Sequence, residues 1–345
     1  MISGSLTESE YIKATFRTFI KSKLIDGVLR EHAESAVKNG NFDDLQSSLR
    51  AKAKEFDESK PTVESTFSLL NLEEIYTNRR GIQSGISLID SIIGGLFSKE
   101  MSMIIGDTNV GKSFLATYIG GKAVKQMRKV LHVGLEMSKA RNLIRYYTTL
   151  ADPDDDITYT NIYRCDPEDE VFDYVTRLHD QYESYLKVEE IPTSKCTVDD
   201  LYRLLDRYPD TEVMVLDYMD LMQAPEHRSE LRHELSDLCT VVRGIAVESD
   251  HLHIISPTQA NKSAKYKRIV GTEYSAEDYG KMRIVDWAVG MGQNKNDVDN
   301  KQVVLSIAKS RNSEKGFAER YFMDFSHMTF RYMGQEVQAQ DGTGH

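Results

Sequence analysis

Residues 101–113 read MSMIIGDTNVGKS, an apolar run that passes straight into a glycine-rich turn of the form G-x-x-x-x-G-K-[ST]. Met103, Ile104 and Ile105 predict a short buried strand, and Phe114, Leu115, Tyr118 and Ile119 then recur at helical spacing. A strand, a tight turn and a helix in that order gather backbone N–H groups and the positive end of a helix dipole around one point, which suits a phosphate. Gly106 and Gly111 permit the turn and the close approach of backbone to ligand, and Lys112 brings a cation to the β- and γ-phosphates. The Ser113 hydroxyl is a ligand for Mg2+. Asp107, Thr108, Asn109 and Val110 fill the turn, and with Phe114 they complete the predicted nucleotide-binding stretch. A plain glycine-rich turn is the rival reading; the apolar strand before it and the helical pattern after it argue against that.

From the turn onward the pattern alternates as in an α/β domain with a mostly parallel sheet flanked by helices. Strands are predicted over 130–135, 185–191, 212–216 and 252–256, and helices over 139–150, 198–207 and 234–248. The acidic run 152–156 reads as a solvated loop. After Val285 the character changes, and short strand-like runs at 303–308, 320–325 and 329–332 predict C-terminal β-hairpins. Ahead of the turn, Thr7 and Glu10 stand at capping-box spacing before Ile12, Phe16, Phe19, Ile20 and Leu24, which predicts an amphipathic helix. The expected organisation is a helical arm or small domain over 1–65, a linker with a short helix over 66–80, the nucleotide-binding domain over 81–335 and a tail over 336–345.

Charge limits the partners. With 43 basic against 54 acidic residues and a net charge of −11, any grip on nucleic acid must come from a local basic patch. Cys165, Cys196 and Cys239 are odd in number and widely spaced, which argues for packing roles rather than a disulfide framework or a zinc site. No apolar run has membrane-spanning length and no signal-peptide pattern stands near Met1, so a cytoplasmic address is expected, with no membrane partner.

Four further stretches supply what nucleotide hydrolysis needs. Asp217 ends the apolar run VMVLD, where a second acidic group can hold Mg2+, although an Asp after a strand also serves as a helix cap. Glu136, in HVGLEMS, ends a neighbouring strand at the carboxyl edge of the sheet and can polarise an attacking water, or can simply stabilise the helix that follows. Gln259, in SPTQANK, can sense a γ-phosphate by hydrogen bonding; on that stretch alone a surface glutamine reads equally well. Lys309 and Arg311, in AKSRNSEKG, are expected at a hairpin tip, where a guanidinium can stabilise transition-state charge or be an ordinary surface cation.

The order GIQSGISLIDSIIGGL, GDTNVGKS, GLEMSKARNLI, EEIPTSKCTVDDL, VMVLDYMDLM, SPTQANK and KSRN resembles the RecA-type motor domain of DnaB-like replicative helicases over residues 81–330. The LEM turn, the LDYMDLM strand and KSRN are its specific parts. The resemblance implies a RecA-like P-loop NTPase core that uses ATP and Mg2+, with Lys112 and Ser113 on phosphate and metal, Asp217 on the metal and Glu136 as the catalytic carboxylate. Gln259 matches the family's γ-phosphate sensor, and Lys309 and Arg311 match a basic pair that reaches into the adjoining subunit's site. It further implies a homo-oligomer, a hexameric ring, moving 5′ to 3′ on single-stranded DNA in a bacterial or phage-infected cell, with a primase and a helicase loader as partners.

In such rings the strand is held by loops after the metal-binding and sensor strands. Residues 261–283 carry six cations, Lys262, Lys265, Lys267, Arg268, Lys281 and Arg283, against three carboxylates, in an acidic chain. That asymmetry marks them as the expected DNA-binding residues, with Tyr266, Tyr274 and Tyr279 available to stack on bases. His227, Arg228 and Arg232 form a second, weaker candidate. Two other functions fit much of the same sequence: a RecA-like recombinase or strand-annealing ATPase that coats DNA, and a nucleotide-gated oligomeric clamp. KSRN and the LEM turn favour the helicase over the first, and the carboxylate at Glu136 favours it over the second.

Overall fold

The computed structural model describes residues 81–193, 195–224, 231–275, 279–311 and 316–336. The expected arm over 1–65, the linker helix and nearly all of the tail lie outside the described residues, as do His227, Arg228 and the side chains of Arg232 and Tyr279.

Strands and helices follow one another as β1 (Glu100–Gly106), α1 (Lys112–Lys125), β2 (Val130–Gly134), α2 (Lys139–Leu150), α3 (Tyr159–Arg164), α4 (Glu170–Tyr182), β3 (Leu186–Glu190) and α5 (Val198–Arg207). Then come β4 (Val213–Asp217), α6 (Leu231–Glu248), β5 (His253–Gln259), α7 (Tyr279–Ile284), β6 (Trp287–Gly292), α8 (Lys295–Asp299), β7 (Gln302–Ser310), β8 (Ala318–Asp324) and β9 (Thr329–Gln335). All strands join one sheet in the order β3-β2-β4-β5-β1-β6-β7-β8-β9. Neighbours from β3 through β6 pair in parallel, and β6 to β9 pair antiparallel. This is the expected RecA-like core with C-terminal hairpins.

The central strands are buried along almost their whole length because both faces are covered, so they read as continuous apolar runs. Alternate residues still divide between two cores. Val213 and Val215 join Ile104 beneath α1, α2 and α4, whereas Met214 and Leu216 join Met103 and Ile105 beneath α5, α6 and α7. Parallel pairing also brings the strand ends level: Gly106 lies opposite Gln259 and Met291, and Gly134 lies opposite Asp217. The end of β1, from which the glycine-rich turn departs, therefore shares one edge of the sheet with three of the expected site segments.

The helices α3, α4, α7 and α8 were not predicted, and neither was β6, WAVGMG, which is diluted by glycines. The glycine at 290 is required by packing, since a Cβ there would lie 1.8 Å from the Val270 carbonyl oxygen. Cys196 and Cys239 are buried and Cys165 is half-buried, and none of the three is in a disulfide among the described residues.

Candidate active site

Gly106 closes β1 in a crowded position: a Cβ would lie 2.7 Å from Val110 Cγ1 and 2.8 Å from the Met291 carbonyl oxygen. Gly111, at φ 101°, turns the chain into α1 through a left-handed conformation. No side chain caps α1 there, so its first N–H groups face the turn, where an anion is favoured. Lys112 folds back over the turn and donates from Nζ to the carbonyl oxygens of Gly106 at 3.0 Å and Asp107 at 2.8 Å. Burial draws its pKa down, opposed by Asp107, Asp217, Glu136 and Asp220. Asp107 accepts from the Thr108 N–H, Val110 and Phe114 are buried beneath the turn, and Asn109 is exposed at φ 64°.

A cavity of about 350 Å3 opens over this turn and is lined by Thr108, Lys112, Ser113, Glu136, Arg145 and Gln259 among others. Ser113 Oγ donates to Asp217 Oδ1 at 2.9 Å. Asp217 is 1% exposed. Burial pushes its carboxyl up to about 6, against the Ser113 hydrogen bond and the charges of Arg145 and Lys112. The hydroxyl and the carboxylate are two hard oxygen donors side by side, the kind of set that holds Mg2+, which takes few protein ligands and completes its shell with phosphate and water. Gln259 Nε2 donates to Thr108 Oγ1 at 2.6 Å, so the end of β5 touches the turn itself. Glu136 is exposed at the end of β2, just ahead of Ser138, whose side chain caps α2.

Arg145, on α2, is a cavity residue that sequence reasoning missed. Its Nη1 is buried with no hydrogen-bond partner among the described residues. Burial lowers its pKa, opposed first by the charge of Asp217. α2 can bring it there because α1 presents Gly120 and Gly121, where a Cβ would meet Tyr146 Oη at 2.5 Å and Thr149 Cγ2 at 2.6 Å.

Lys309 and Arg311 stand apart from this cluster. Lys309 lies within β7, level with Ala288 of β6, which in turn is level with Met103, three residues short of Gly106. That is about 10 Å down the strands from the turn, with β6 between β7 and β1. Lys309 Nζ donates to the carbonyl oxygens of Arg283 and Val285 at 3.0 and 2.6 Å, and Arg311 Nη2 donates to that of Ile284 at 2.7 Å. Burial and the neighbouring Arg311 bring the Lys309 ammonium down to about 8.

The expected DNA-binding residues divide. Lys262, Lys265 and Lys267 are exposed, as is Arg283. Tyr266 is 49% exposed, with Lys265 Nζ at 5.3 Å and Lys295 Nζ at 5.4 Å from its ring centre. Tyr274, by contrast, packs against the second core. Two of the cations need correction as surface groups. Arg268 is engaged by Asp297 at 2.8 and 2.6 Å and by Glu336 at 2.6 Å, bonds that clamp its loop to α8. Lys281 is 1% exposed and pairs with Asp220 at 2.9 Å. Both were read as free because the carboxylates that claim them lie far away in sequence.

A family model described as the DnaB-like helicase C terminal domain matches residues 81–269. Among solved structures, the ATPase domain of G40P aligns with a TM-score of 0.66 at 16% identity, over 80% of this chain and 100% of that one. A structure of a DnaB-like replicative helicase and its interactions with primase aligns with a TM-score of 0.64 at 14% identity, over 95% of this chain and 80% of that one. At these identities the likeness establishes the fold. No curated protein matches the sequence. No helix among the described residues is long and apolar enough to cross a membrane. Since the matched segment takes in more than half of the 345 residues and contains the glycine-rich turn, Glu136, Asp217 and Gln259, the chain belongs to the DnaB-like helicases, which are ATP-hydrolysing enzymes.

Proposed function

We propose that this helicase works as a hexameric ring that hydrolyses ATP at each boundary between protomers and draws single-stranded DNA through its centre, 5′ to 3′, unwinding duplex ahead of it. One protomer binds the nucleotide: Gly106, Asp107, Thr108, Asn109, Val110, Gly111 and Phe114 shape the turn, and Lys112 and the first N–H groups of α1 hold the phosphates. Ser113 and Asp217 would hold Mg2+, which would supply positive charge to the bound phosphates. Glu136 orients and deprotonates the attacking water, and Gln259 reads the γ-phosphate. The neighbouring protomer supplies Lys309 and Arg311 to the charge that develops on the transferred phosphoryl group. Lys262, Lys265, Lys267 and Arg283 contact DNA phosphates, and Tyr266 offers a stacking face near Lys265 and Lys295. In sequence, the motor over 81–335 follows the arm over 1–65 and the linker over 66–80. A primase and a loader are the expected protein partners, in line with the primase named for one structural neighbour.

The observation that carries this reading is the position of Lys309 and Arg311. Both are tied to the carbonyl end of α7, below and to one side of their own glycine-rich turn, so they are badly placed for their own nucleotide, which supports a role at another protomer's. Mixing tests it. Arg311→Ala protomers, titrated into wild type, are expected to depress ATP turnover more steeply than their mole fraction, because each one disables a neighbour's site. A strictly proportional fall would mean self-contained sites.

A further inference from the structure

Lys281 has almost no solvent exposure, and its ammonium makes two hydrogen bonds close to the nucleotide site. Nζ donates to Asp220 Oδ1 at 2.9 Å and to Thr258 Oγ1 at 2.9 Å, and Thr258 Oγ1 donates to Asp220 Oδ2 at 2.8 Å. The three side chains form a closed ring of hydrogen bonds. Two of them stand beside groups that face the cavity. Thr258 is the residue before Gln259, and Asp220 sits in the 3-10 turn Met219–Leu221 that directly follows Asp217 and Tyr218. A second tie locks those two segments together: Ser256 Oγ accepts from the Met219 N–H at 3.0 Å and donates to the Leu216 carbonyl oxygen at 2.7 Å. The ends of β4 and β5 therefore behave as one unit, and Lys281 joins that unit to α7.

α7 has six residues and leads from that unit toward the opposite edge of the sheet. Its last carbonyls, at Arg283 and Ile284, together with that of Val285, are the ones that hold Lys309 and Arg311. Just beyond, Asp286 pairs with Arg243 at 2.9 Å and with Arg311 at 3.4 Å, and accepts from the Met101 N–H at 3.0 Å. One short helix thus connects the residues that face this protomer's nucleotide to the cations it presents elsewhere. A buried ion pair is a poor device for stability alone, since apolar side chains of similar volume serve as well or better. What it adds is direction: the ammonium holds two specific oxygens at hydrogen-bond distance, so a displacement of Thr258 is passed to α7 instead of being absorbed by loose packing.

We propose that Lys281 is a positioning residue for hydrolysis, coupling the β5 end that carries Gln259 to α7 and thereby to the placement of Lys309 and Arg311. Nucleotide bound in one protomer then sets how well that protomer serves the next. The inference rests on the shared-site reading given above.

The test uses the full chain with Asp220→Leu and Lys281→Met combined, which removes both charges together and leaves no unpaired ion in the core. The variant is expected to unfold thermally close to wild type and to bind a non-hydrolysable ATP analogue within about twofold, while kcat falls about tenfold with little change in KM. In wild type the analogue is expected to alter hydrogen–deuterium exchange across 279–286, and in the variant that response is expected to vanish. Wild-type kcat in the variant, or a wild-type α7 that ignores the analogue, overturns the proposal; the second measurement stands even if the variant fails to fold. Arg311→Ala mixing separates the two readings. If Arg311→Ala protomers poison wild type while the double variant turns over normally, only the coupling through Lys281 fails. If they merely dilute it, the shared site fails, and the exchange at α7 reports on Lys281 independently.

Discussion

The Ser113 hydroxyl donates to the buried Asp217 carboxyl at 2.9 Å, joining the first turn of α1 to the end of β4. Burial of the Asp217 carboxyl comes at a cost to the folded protein. Its carboxyl is pushed up to about 6 from 3.8 by burial, so between those values the native state keeps a proton that the unfolded chain has lost. Stability from this group is present below pH about 4, falls as pH rises through about 6, and leaves a penalty of about 3 kcal/mol at higher pH. Asp217→Asn removes the charge and keeps an acceptor for Ser113. Its expected effect is a gain of about 1–3 kcal/mol at pH 8 and almost none at pH 4, with ATP turnover down about 100-fold. Urea titrations of both proteins across this pH range check the sign; equal stability at every pH would mean that the carboxyl is not strained by burial.

Arg145 carries a buried Nη1 without a partner among the described residues, beside the same cavity. A guanidinium in that position gains a charge-assisted hydrogen bond when phosphate arrives and carries an uncompensated desolvation cost in its absence. Arg145→Met is therefore expected to leave the nucleotide-free protein at least as stable as wild type and to weaken ATP-analogue binding about tenfold or more. Calorimetric titration decides; unchanged affinity would make Arg145 a packing residue.

Gly290 lets the chain after the basic loop lie directly on β6, with the Val270 carbonyl oxygen 1.8 Å from where a Cβ would stand. The Val270 backbone cannot yield as a flexible side chain would, so Gly290→Ala is expected to destabilise by about 3 kcal/mol. Displacing 267–270 should also disturb Lys265, Tyr266 and Lys267, whose loop Arg268 clamps to α8. The folded fraction is expected to bind single-stranded DNA more weakly, and a variant that keeps both stability and affinity would show that this close approach is dispensable.

Much of this was legible in the sequence for a local reason. The cradle depends on a strand, two glycines, a lysine and a helix that are contiguous, and Asp217 and Gln259 end apolar strands that in a parallel sheet must finish on one edge. Arg145 was not legible, because its place at the cavity depends on how closely α2 approaches Gly120 and Gly121 of α1. Lys281 and Arg268 misled for a related reason. Their carboxylates, Asp220 and Asp297, lie 61 and 29 residues away, and local charge carries no trace of partners that distant. The helices α3 and α4 were not predicted; they follow the acidic run 152–156, which reads as a solvated loop.

That division among the cations makes the last prediction quantitative. Each phosphate contact to a single strand adds about 0.7 to the slope of log affinity against log salt. Lys262→Ala, Lys265→Ala and Lys267→Ala are each expected to lower the slope by about that amount with little loss of stability. Arg268→Ala acts differently. Burial alone would raise the Asp297 carboxyl; the hydrogen bonds from Arg268 and the Asn294 backbone and the charges of Arg268 and Arg320 together outweigh it and hold that carboxyl below its usual range. Removing Arg268 strands a fully buried carboxylate and is expected to cost about 3–5 kcal/mol, while the salt slope of the protein that remains folded stays near wild type. Fluorescence anisotropy on a labelled oligonucleotide at several salt concentrations separates the two classes. A full unit lost from the slope on replacing Arg268, with stability intact, would return that residue to the DNA-binding surface.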